Sequence, residues 1–344
     1  MGPPLRRLAD LAGQRIAAET LSAAITQGRL HHALLLAGPD GVGKYAAAEL
    51  IAKILLCTGR RAESADACAK CPSCAKFELG SGHGDVSVLA QIKGPGMLDH
   101  VRSVLHLLHL TPNEGVRRVL IVRDIDAMSE NTQNALLKTV EEPPGKTQVI
   151  VTTSRTDKAL VTIRSRCLKV RFVPVPRADI ARLIATPLML DGPRASLIAG
   201  LADGSPARAL GSDPDAIIAL RDRAARIDVA LVPGDTAQVA TALEAAAAMT
   251  DKSDDIDTLL SVLGVWLRDQ LVLASGGPAS DVASDDRLDE LRELASSRGV
   301  YEVLRRARAL EHARRTRAEP FNYNVNMIVE SLCLALVGRA SSPV

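Results

Sequence analysis

The sequence predicts an α/β fold that carries a phosphate-binding loop, followed by a long all-helical region. Apolar strand-like runs alternate with helical patterns over the first 172 residues. A glycine-rich loop lies between the first of these runs and the next helix. From Ala216 to Leu336 the pattern is helical, broken by a linker-like stretch at Ser275–Asp281. Alternating strands and helices are typical of a parallel sheet, whereas a continuous helical pattern indicates packed helices.

Composition places the chain among globular proteins. Of its 344 residues 47% are hydrophobic, and no apolar run is long enough to cross a membrane. The net charge is +2, so any contact with DNA must depend on a local patch. Aromatic residues make up only 2%, which argues against stacking platforms for single strands. The N-terminal segment lacks a signal-peptide pattern, so we expect a cytoplasmic protein.

The glycine-rich loop spans Gly38–Tyr45 and follows the apolar run Ala33–Ala37. In a P-loop, backbone N–H groups at a helix N-terminus cradle phosphates, and a lysine reaches the β- and γ-phosphates. The candidate phosphate-binding residues are Gly38, Gly41, Gly43 and Lys44. A Ser or Thr should follow the lysine to hold Mg²⁺, but Tyr45 stands there. The cradle is therefore predicted to be present without its metal ligand.

Four of the six cysteines lie close together directly after the predicted P-loop helix. Zinc prefers tetrahedral thiolate ligands, and short Cys-x2-Cys turns direct successive sulfurs at one ion. We therefore predict a closed, structural zinc site whose ligands are Cys57, Cys68, Cys71 and Cys74. His83 is the nearest substitute ligand. Cys167 and Cys333 are predicted to be core thiols.

Further apolar strands are predicted at residues 85–89, 118–124, 148–153 and 168–172. Ligands of parallel α/β sheets bind at the carboxyl ends of strands, and the acidic candidates there are Asp124 and Asp126. The helix before the fourth strand ends in Glu141-Glu142-Pro-Pro. We interpret this pair as a solvated helix end in preference to an acid–base pair.

A stiff connector at Val173–Pro176 and a second boundary at Gly211–Asp215 predict three domains. Residues 1–172 form the sheet and P-loop domain, with the cysteine module at 57–74. Residues 173–212 form a small helical lid, and residues 213–344 form an all-helical domain. Arginine clusters in the last domain are interpreted as solvated faces or intersubunit ion pairs, with contact to DNA phosphates as the alternative. They are Arg305, Arg306 and Arg308, and Arg314, Arg315 and Arg317.

Five motifs occur together in this chain. They are Gly13-Gln14, the cysteine module after the P-loop helix, Asn134–Pro144, the triplet Ser165-Arg166-Cys167 and the C-terminal Asn322–Asn326. In combination they resemble the bacterial clamp-loader family of AAA+ proteins, densely over residues 10–172 and diffusely after that. The resemblance implies an AAA+ P-loop domain with an inserted zinc module, a helical lid, and a collar domain that joins subunits into a ring.

Departures from the family pattern concern the nucleotide site. Counted back from Asn134, the family's metal-binding Asp falls at Arg123 and its catalytic Glu at Asp124. The positive charge of Arg123 repels Mg²⁺. Tyr45 stands in place of the Ser or Thr that would be the other Mg²⁺ ligand. The resemblance therefore implies no ATP hydrolysis, whereas binding of ATP or ADP without turnover stays open. The sensor arginine is displaced by one position, to Arg208, which likewise implies that ATP is not hydrolysed.

The triplet around Arg166 implies an arginine finger. In ring ATPases an arginine of one subunit reaches the γ-phosphate bound by its neighbour, and a guanidinium binds phosphate in bidentate fashion. Arg166, together with Ser165, is therefore implied to act in trans. From the residues alone, the alternative is that Arg166 caps a helix or pairs with a surface carboxylate.

The function implied by the resemblance is a structural subunit of the DNA polymerase III clamp loader, which loads the sliding clamp onto primed DNA. Its implied partners are the motor (tau/gamma) subunits and the delta subunit, with clamp and DNA reached through the complex. The isolated chain is expected to be a monomer. One alternative is an ATP-hydrolysing motor of the same loader that uses Asp124 and Asp126 as an unusual acidic pair. The other is a zinc-stabilised nucleotide-binding adaptor outside replication.

Overall fold

The computed structural model describes residues 5–61, 63–80, 82–92, 96–232, 236–250, 256–318 and 324–338. The chain divides into two compact units. The first comprises Met1–Leu183 and Gly204–Leu210, and the second comprises Ile184–Asp203 and Gly211–Val344. Because parts of the predicted lid belong to each unit, the three domains 1–172, 173–212 and 213–344 stay a prediction.

The first unit is built on a five-stranded sheet in which all paired strands run parallel, in the order β2-β3-β4-β1-β5. The strands are β1 Ala33–Ala37, β2 Val86–Leu89, β3 Val119–Val122, β4 Gln148–Thr153 and β5 Leu168–Arg171. The apolar runs of the sequence predict all five close to these bounds. The strands β1, β3 and β4 are buried along their whole length, which is typical of a parallel sheet covered on both faces.

Side chains of β1 alternate between two hydrophobic layers, one on each face of the sheet. Leu34 and Leu36 belong to one buried cluster, and Ala33 and Leu35 belong to the other. Successive side chains of a strand point to opposite faces, so one strand contributes to both layers. The P-loop strand is thereby held at the centre of the unit.

Fourteen α-helices are present in the described residues. Up to residue 211 they are α1 Arg15–Thr26, α2 Lys44–Leu56, α3 Pro72–Leu79, α4 Met97–Leu107, α5 Glu130–Glu141, α6 Val161–Arg164, α7 Arg177–Ala185, α8 Gly192–Leu201 and α9 Pro206–Gly211. Beyond it they are α10 Pro214–Ala230, α11 Thr236–Thr250, α12 Ile256–Ala274, α13 Leu288–Ala318 and α14 Val325–Val337. Short 3₁₀ helices span Leu8–Asp10, Ile125–Ala127, Ala279–Asp281 and Asp285–Arg287.

The predicted fold class is confirmed. A parallel α/β P-loop sheet of the AAA+ kind carries a cysteine module between α2 and β2, and helical segments follow it. Within the described ranges, no helix is both long and apolar enough to span a bilayer.

The second unit is all-helical. Its helix α12 packs against α10 and α13, and α11 packs against α14. The helix α13 is broken at Gly299, whose φ of 69° and ψ of 170° are not helical. Asn324 caps α14, because its side chain accepts a hydrogen bond from the N–H of Asn326 at 3.0 Å. Asn322 and Tyr323 of the C-terminal motif lie outside the described residues.

A buried ion-pair network surrounds Asp228 in this unit. The carboxylate accepts hydrogen bonds from Arg306 at 2.8 Å, Arg298 at 2.6 Å, Trp266 at 3.1 Å and Gln270 at 2.8 Å. The side chains of Asp228 and Arg306 are both 0% exposed. The interpretation of the arginine cluster as a solvated face is therefore wrong for Arg306, whose charge is compensated inside the helical core.

Replacement of Arg306 by Ala is expected to lower the free energy of unfolding by about 3 kcal/mol, because it removes a buried partner of Asp228. Urea unfolding followed by circular dichroism measures this change. Arg308→Ala, at an exposed position of the same helix, is the matched control and should cost less than about 0.5 kcal/mol. Equal losses in the two variants would contradict the structural role of the network.

Candidate functional site

The glycine-rich loop begins where β1 ends, and its backbone explains two of its glycines. Gly43 has a φ of 99°, a left-handed conformation that favours glycine. A Cβ atom on Gly38 would collide with the carbonyl group of Phe172, directly after β5. The loop therefore lies at the carboxyl edge of the sheet, at the N-terminus of α2. This is the position required of a phosphate cradle.

Lys44 is buried, and its ammonium group lies within the loop. It donates hydrogen bonds to the carbonyl oxygens of Gly38 at 2.8 Å and Pro39 at 2.6 Å, and to the hydroxyl of Ser154 at 3.0 Å. Burial lowers the pKa of Lys44, although nearby aspartates act in the opposite direction. The lysine thus fastens the loop to the end of β4. It can contact a phosphate only by exchanging some of these bonds.

Tyr45 and Arg123 replace the two metal ligands expected in a P-loop ATPase, and the structure brings them into contact. The guanidinium carbon of Arg123 lies 5.0 Å from the centre of the Tyr45 ring, a cation–π arrangement. Arg123 Nε also lies 3.3 Å from the carboxylate of Asp124. Burial and the neighbouring Glu49 raise the pKa of the Tyr45 phenol to about 12. These side chains do not fit a Mg²⁺ site, because the ion needs oxygen ligands and repels a guanidinium.

The carboxylate of Asp126 holds the turn after β4. It accepts hydrogen bonds from the hydroxyl of Thr153 at 2.9 Å and from the backbone N–H groups of Ser154 and Arg155 at 3.1 and 3.2 Å. Its side chain is only 7% exposed. Asp126 is therefore used structurally, whereas Asp124 lines the cavity beside the loop.

This cavity has a volume of about 770 Å³ and lies within the first unit. Its polar wall includes Lys44, Arg123 and Asp124, and the displaced sensor residue Arg208 also lines it. Apolar side chains form another part of the wall; they include Leu11, Leu50, Phe77 and Leu183. The volume is in the range of small-molecule sites. The chain thus keeps a pocket and a phosphate loop without the ligands for the metal.

The four cysteines of the predicted zinc module come together where α3 begins. Their sulfur atoms all lie within 4.8 Å of one another, and those of Cys57 and Cys71 are 3.9 Å apart. Tetrahedral zinc with Zn–S bonds of about 2.3 Å places its sulfurs about 3.8 Å apart. The donor set and spacing therefore fit a structural zinc ion held by Cys57, Cys68, Cys71 and Cys74.

Backbone N–H groups are directed at these sulfurs. Cys68 Sγ accepts from the N–H groups of Lys70 and Cys71 at 3.5 and 3.3 Å, and Cys71 Sγ accepts from that of Cys74 at 3.4 Å. Burial acts to raise the pKa of Cys71, but hydrogen bonds from Cys74 and Thr58 bring it down to about 5. Burial and the neighbouring thiols raise the pKa of Cys74. Full deprotonation of such a set requires a cation among the sulfurs.

His83, the substitute ligand considered from the sequence, lies outside this cluster. Its ring stacks on Phe77 with the centroids 5.6 Å apart, and its Nδ1 accepts the N–H of Asp85 at 3.1 Å. In the part of the chain that the structure describes, the metal-type cluster consists of the four cysteines alone. His83 therefore belongs to the packing around the module.

Arg166 and Ser165 follow the short helix α6. Both donate to the carbonyl oxygen of Thr162 at 3.1 Å, and Arg166 Nε lies 3.1 Å from the carboxylate of Glu141. The Arg166 side chain is 37% exposed and is not among the residues that line the cavity. The next residue, Cys167, packs against the core, and burial raises its pKa to about 11. A surface ion pair thus holds Arg166 at an accessible position.

Sequence reasoning missed the stacking of Arg123 on Tyr45. It considered a surface carboxylate as the partner of Arg166 but did not identify Glu141. Each contact joins residues from different elements, so no local pattern predicts it. The Glu141-Glu142-Pro-Pro segment is visible in the sequence, but which of its carboxylates meets an arginine depends on how α5 packs against α6.

Comparison with known proteins places these features in a family. A family model described as "DNA polymerase III, delta subunit" matches residues 13–176. The chain is 28% identical to the tau subunit of DNA polymerase III from Bacillus subtilis, over 87% of the chain and 56% of that protein. It is 36% identical to the delta' subunit from Pseudomonas aeruginosa, over 51% of the chain and 53% of that protein. The chain spans about half the length of these curated relatives.

A solved gamma subunit-related protein from Thermotoga maritima aligns with 92% of this chain and 98% of its own, at 17% identity and a TM-score of 0.38. The P-loop, the parallel sheet and the helical segments define a P-loop protein of the α/β class with a helical second unit. Within that class, the chain belongs to the clamp-loader family of DNA polymerase III subunits. Both tau and delta' relatives match it, so similarity alone does not choose between subunits.

The purified chain is expected to contain about one equivalent of zinc by atomic absorption, because four thiolates complete the coordination of the ion. Cys71→Ser should lose most of this metal. Cys333→Ser, which replaces a buried thiol of the second unit, is the control and should retain it. Less than about half an equivalent in the unaltered chain would contradict the four-cysteine site.

Proposed function

We propose that this chain is the delta-prime subunit of the DNA polymerase III clamp loader, an ATPase-inactive stator that supplies Arg166 in trans to a neighbouring motor subunit. The observation that carries the proposal is the stacking of Arg123 on Tyr45 at 5.0 Å. A motor subunit needs Mg²⁺ ligands at these two positions. Membership of the clamp-loader family supplies the setting of a ring of related subunits.

Loss of hydrolysis follows from the chemistry of phosphoryl transfer. Mg²⁺ bridges the β- and γ-phosphates and neutralises the charge that develops in the reaction. Arg123 carries a positive charge and no oxygen, and the Tyr45 hydroxyl stands on a longer, rigid ring that is stacked with Arg123, so neither replaces the usual ligands. The cavity of about 770 Å³ is compatible with bound ATP or ADP. The stator role does not require that nucleotide.

The accessible position of Arg166 supports a role toward a neighbour. The residue does not line the cavity of its own chain, and its side chain is 37% exposed. An arginine finger accelerates hydrolysis about 10³- to 10⁵-fold in characterised cases. Ser165 contributes by closing the turn before Arg166 through its bond to Thr162.

The first alternative is a motor subunit that uses Asp124 and Asp126 as its acidic pair. The similarity of the chain to a tau subunit supports this alternative. Against it, Asp126 is used to hold the turn after β4, and Asp124 is paired with Arg123. The second alternative, a zinc-stabilised adaptor outside replication, is disfavoured by the family match over residues 13–176.

In the proposed assembly, the partners are the motor (tau/gamma) subunits and the delta subunit. The complex as a whole engages the sliding clamp and primed DNA in the cytoplasm. The zinc module is structural, residues 173–212 act as the lid, and residues 213–344 form the collar with neighbouring subunits. The chain alone is a monomer, because ring closure requires unlike neighbours.

The purified chain alone is expected to show no ATP turnover above background, because its site lacks Mg²⁺ ligands. Mixed with the motor and delta subunits, clamp and primed DNA, it should stimulate turnover, and Arg166→Ala should reduce that stimulation by about 10³-fold or to the limit of detection. A coupled ATPase assay measures both quantities. Arg166→Lys should behave like Arg166→Ala, since lysine lacks the bidentate fork.

Arg171→Ala, at an exposed arginine of β5, is the matched control and should stimulate like the unaltered chain. If the chain alone hydrolyses ATP and Lys44→Ala abolishes this activity, the chain is a motor subunit and the proposed stator role is wrong. If Arg166→Ala stimulates ATP turnover as well as the unaltered chain does, Arg166 does not act as a finger in trans.

A further inference from the structure

The carboxylate of Glu141 contacts the Arg166 guanidinium on the side of its Nε and Nη2 nitrogens. Arg166 Nε lies 3.1 Å from Glu141 Oε2, and its Nη2 lies 3.4 Å from Oε1. The Nη1 atom donates to the carbonyl oxygen of Thr162 at 3.1 Å. All three guanidinium nitrogens are thus each restrained by one contact.

These contacts leave part of the arginine available. A guanidinium has five N–H donors, and the contacts above use three, one on each nitrogen. Each terminal nitrogen therefore keeps one N–H group. A pair of terminal N–H groups is the arrangement that binds phosphate oxygens in bidentate fashion. Because Glu141 occupies the Nε side, its negative charge stays on the other side of the guanidinium from such a phosphate.

Both halves of this pair are attached to rigid parts of the fold. Glu141 is the last residue of α5, directly after the fully buried Val140. Arg166 follows α6, which is anchored by the fully buried Ile163. Val140 and Ile163 belong to the same hydrophobic cluster, so the distance between the two helices is set by the core.

The pair is too exposed to serve mainly in stability. The side chains of Arg166 and Glu141 are 37% and 53% exposed, and ion pairs of this kind contribute little to the free energy of unfolding. Ordering a free arginine side chain, in contrast, is entropically costly. An arginine that is already held therefore loses less freedom when it contacts a ligand.

We propose that Glu141 is a positioning residue for the finger Arg166, which it holds ready for the nucleotide of the neighbouring motor subunit. This inference rests on the proposed function, because it assigns a further residue to the same trans contact. Glu142 follows Glu141 directly and provides a matched control. Its side chain makes none of the contacts with Arg166 described above.

The test compares Glu141→Gln, Glu142→Gln and Arg166→Ala in the reconstituted complex with motor and delta subunits, clamp and primed DNA. Glu141→Gln keeps the size of the side chain and removes its charge. It is expected to lower the kcat of stimulated ATP turnover about three- to tenfold, with the KM for ATP and complex assembly by gel filtration unchanged. Glu142→Gln should retain full kcat. A purely structural pair would leave this kcat unchanged.

Full kcat in Glu141→Gln, next to a clear loss in Arg166→Ala, overturns the positioning role and leaves the proposed function intact. An increase in kcat also overturns it, because Glu141 would then restrain the finger. If Arg166→Ala stimulates like the unaltered chain, the proposed finger fails and the role of Glu141 fails with it. Should Glu141→Gln be poorly folded, Glu141→Asp retains the charge on a shorter side chain, and an intermediate kcat is the expected result.

Discussion

The parallel pairing of β1 with β4 is the constraint on which the nucleotide site depends. Ala37 and Thr153 end the two strands side by side, and the N–H of Gly38 donates to the carbonyl oxygen of Thr153 at 3.2 Å. Carboxyl ends of parallel strands meet at one edge of a sheet, so the segments that follow them converge there. Lys44 can therefore bond to Ser154, 110 residues away in the sequence.

Residues at this edge hold the fold together, although Tyr45 and Arg123 do not fit a Mg²⁺ site. Lys44 fastens the loop to β4, and Asp126 fixes the turn that follows it. The guanidinium of Arg123 lies over the ring of Tyr45, so the two side chains stabilise each other through a cation–π contact. The site is thus an ordered part of the unit, which is compatible with the proposed role of holding a neighbouring subunit in register.

The two arginine networks show how burial decides what an ion pair does. Arg306 and Asp228 are fully buried, so removal of one partner leaves an uncompensated charge in the helical core. Arg166 and Glu141 are partly exposed, so water competes with their attraction and their contribution to folding is small. The first pair therefore serves stability, and the second remains accessible for the contact proposed for Arg166.

The sequence by itself determined the local features: the five strands, the P-loop, the four-cysteine spacing and the basic residue at Arg123. Each of these depends on neighbours within a short stretch of chain. Only the tertiary structure decided which distant charges meet, such as Arg123 over Tyr45, Arg166 beside Glu141 and Arg306 inside the core. Ion pairs leave no periodic signal, because any of the 40 acidic residues can pair with any of the 42 basic ones until packing selects a partner.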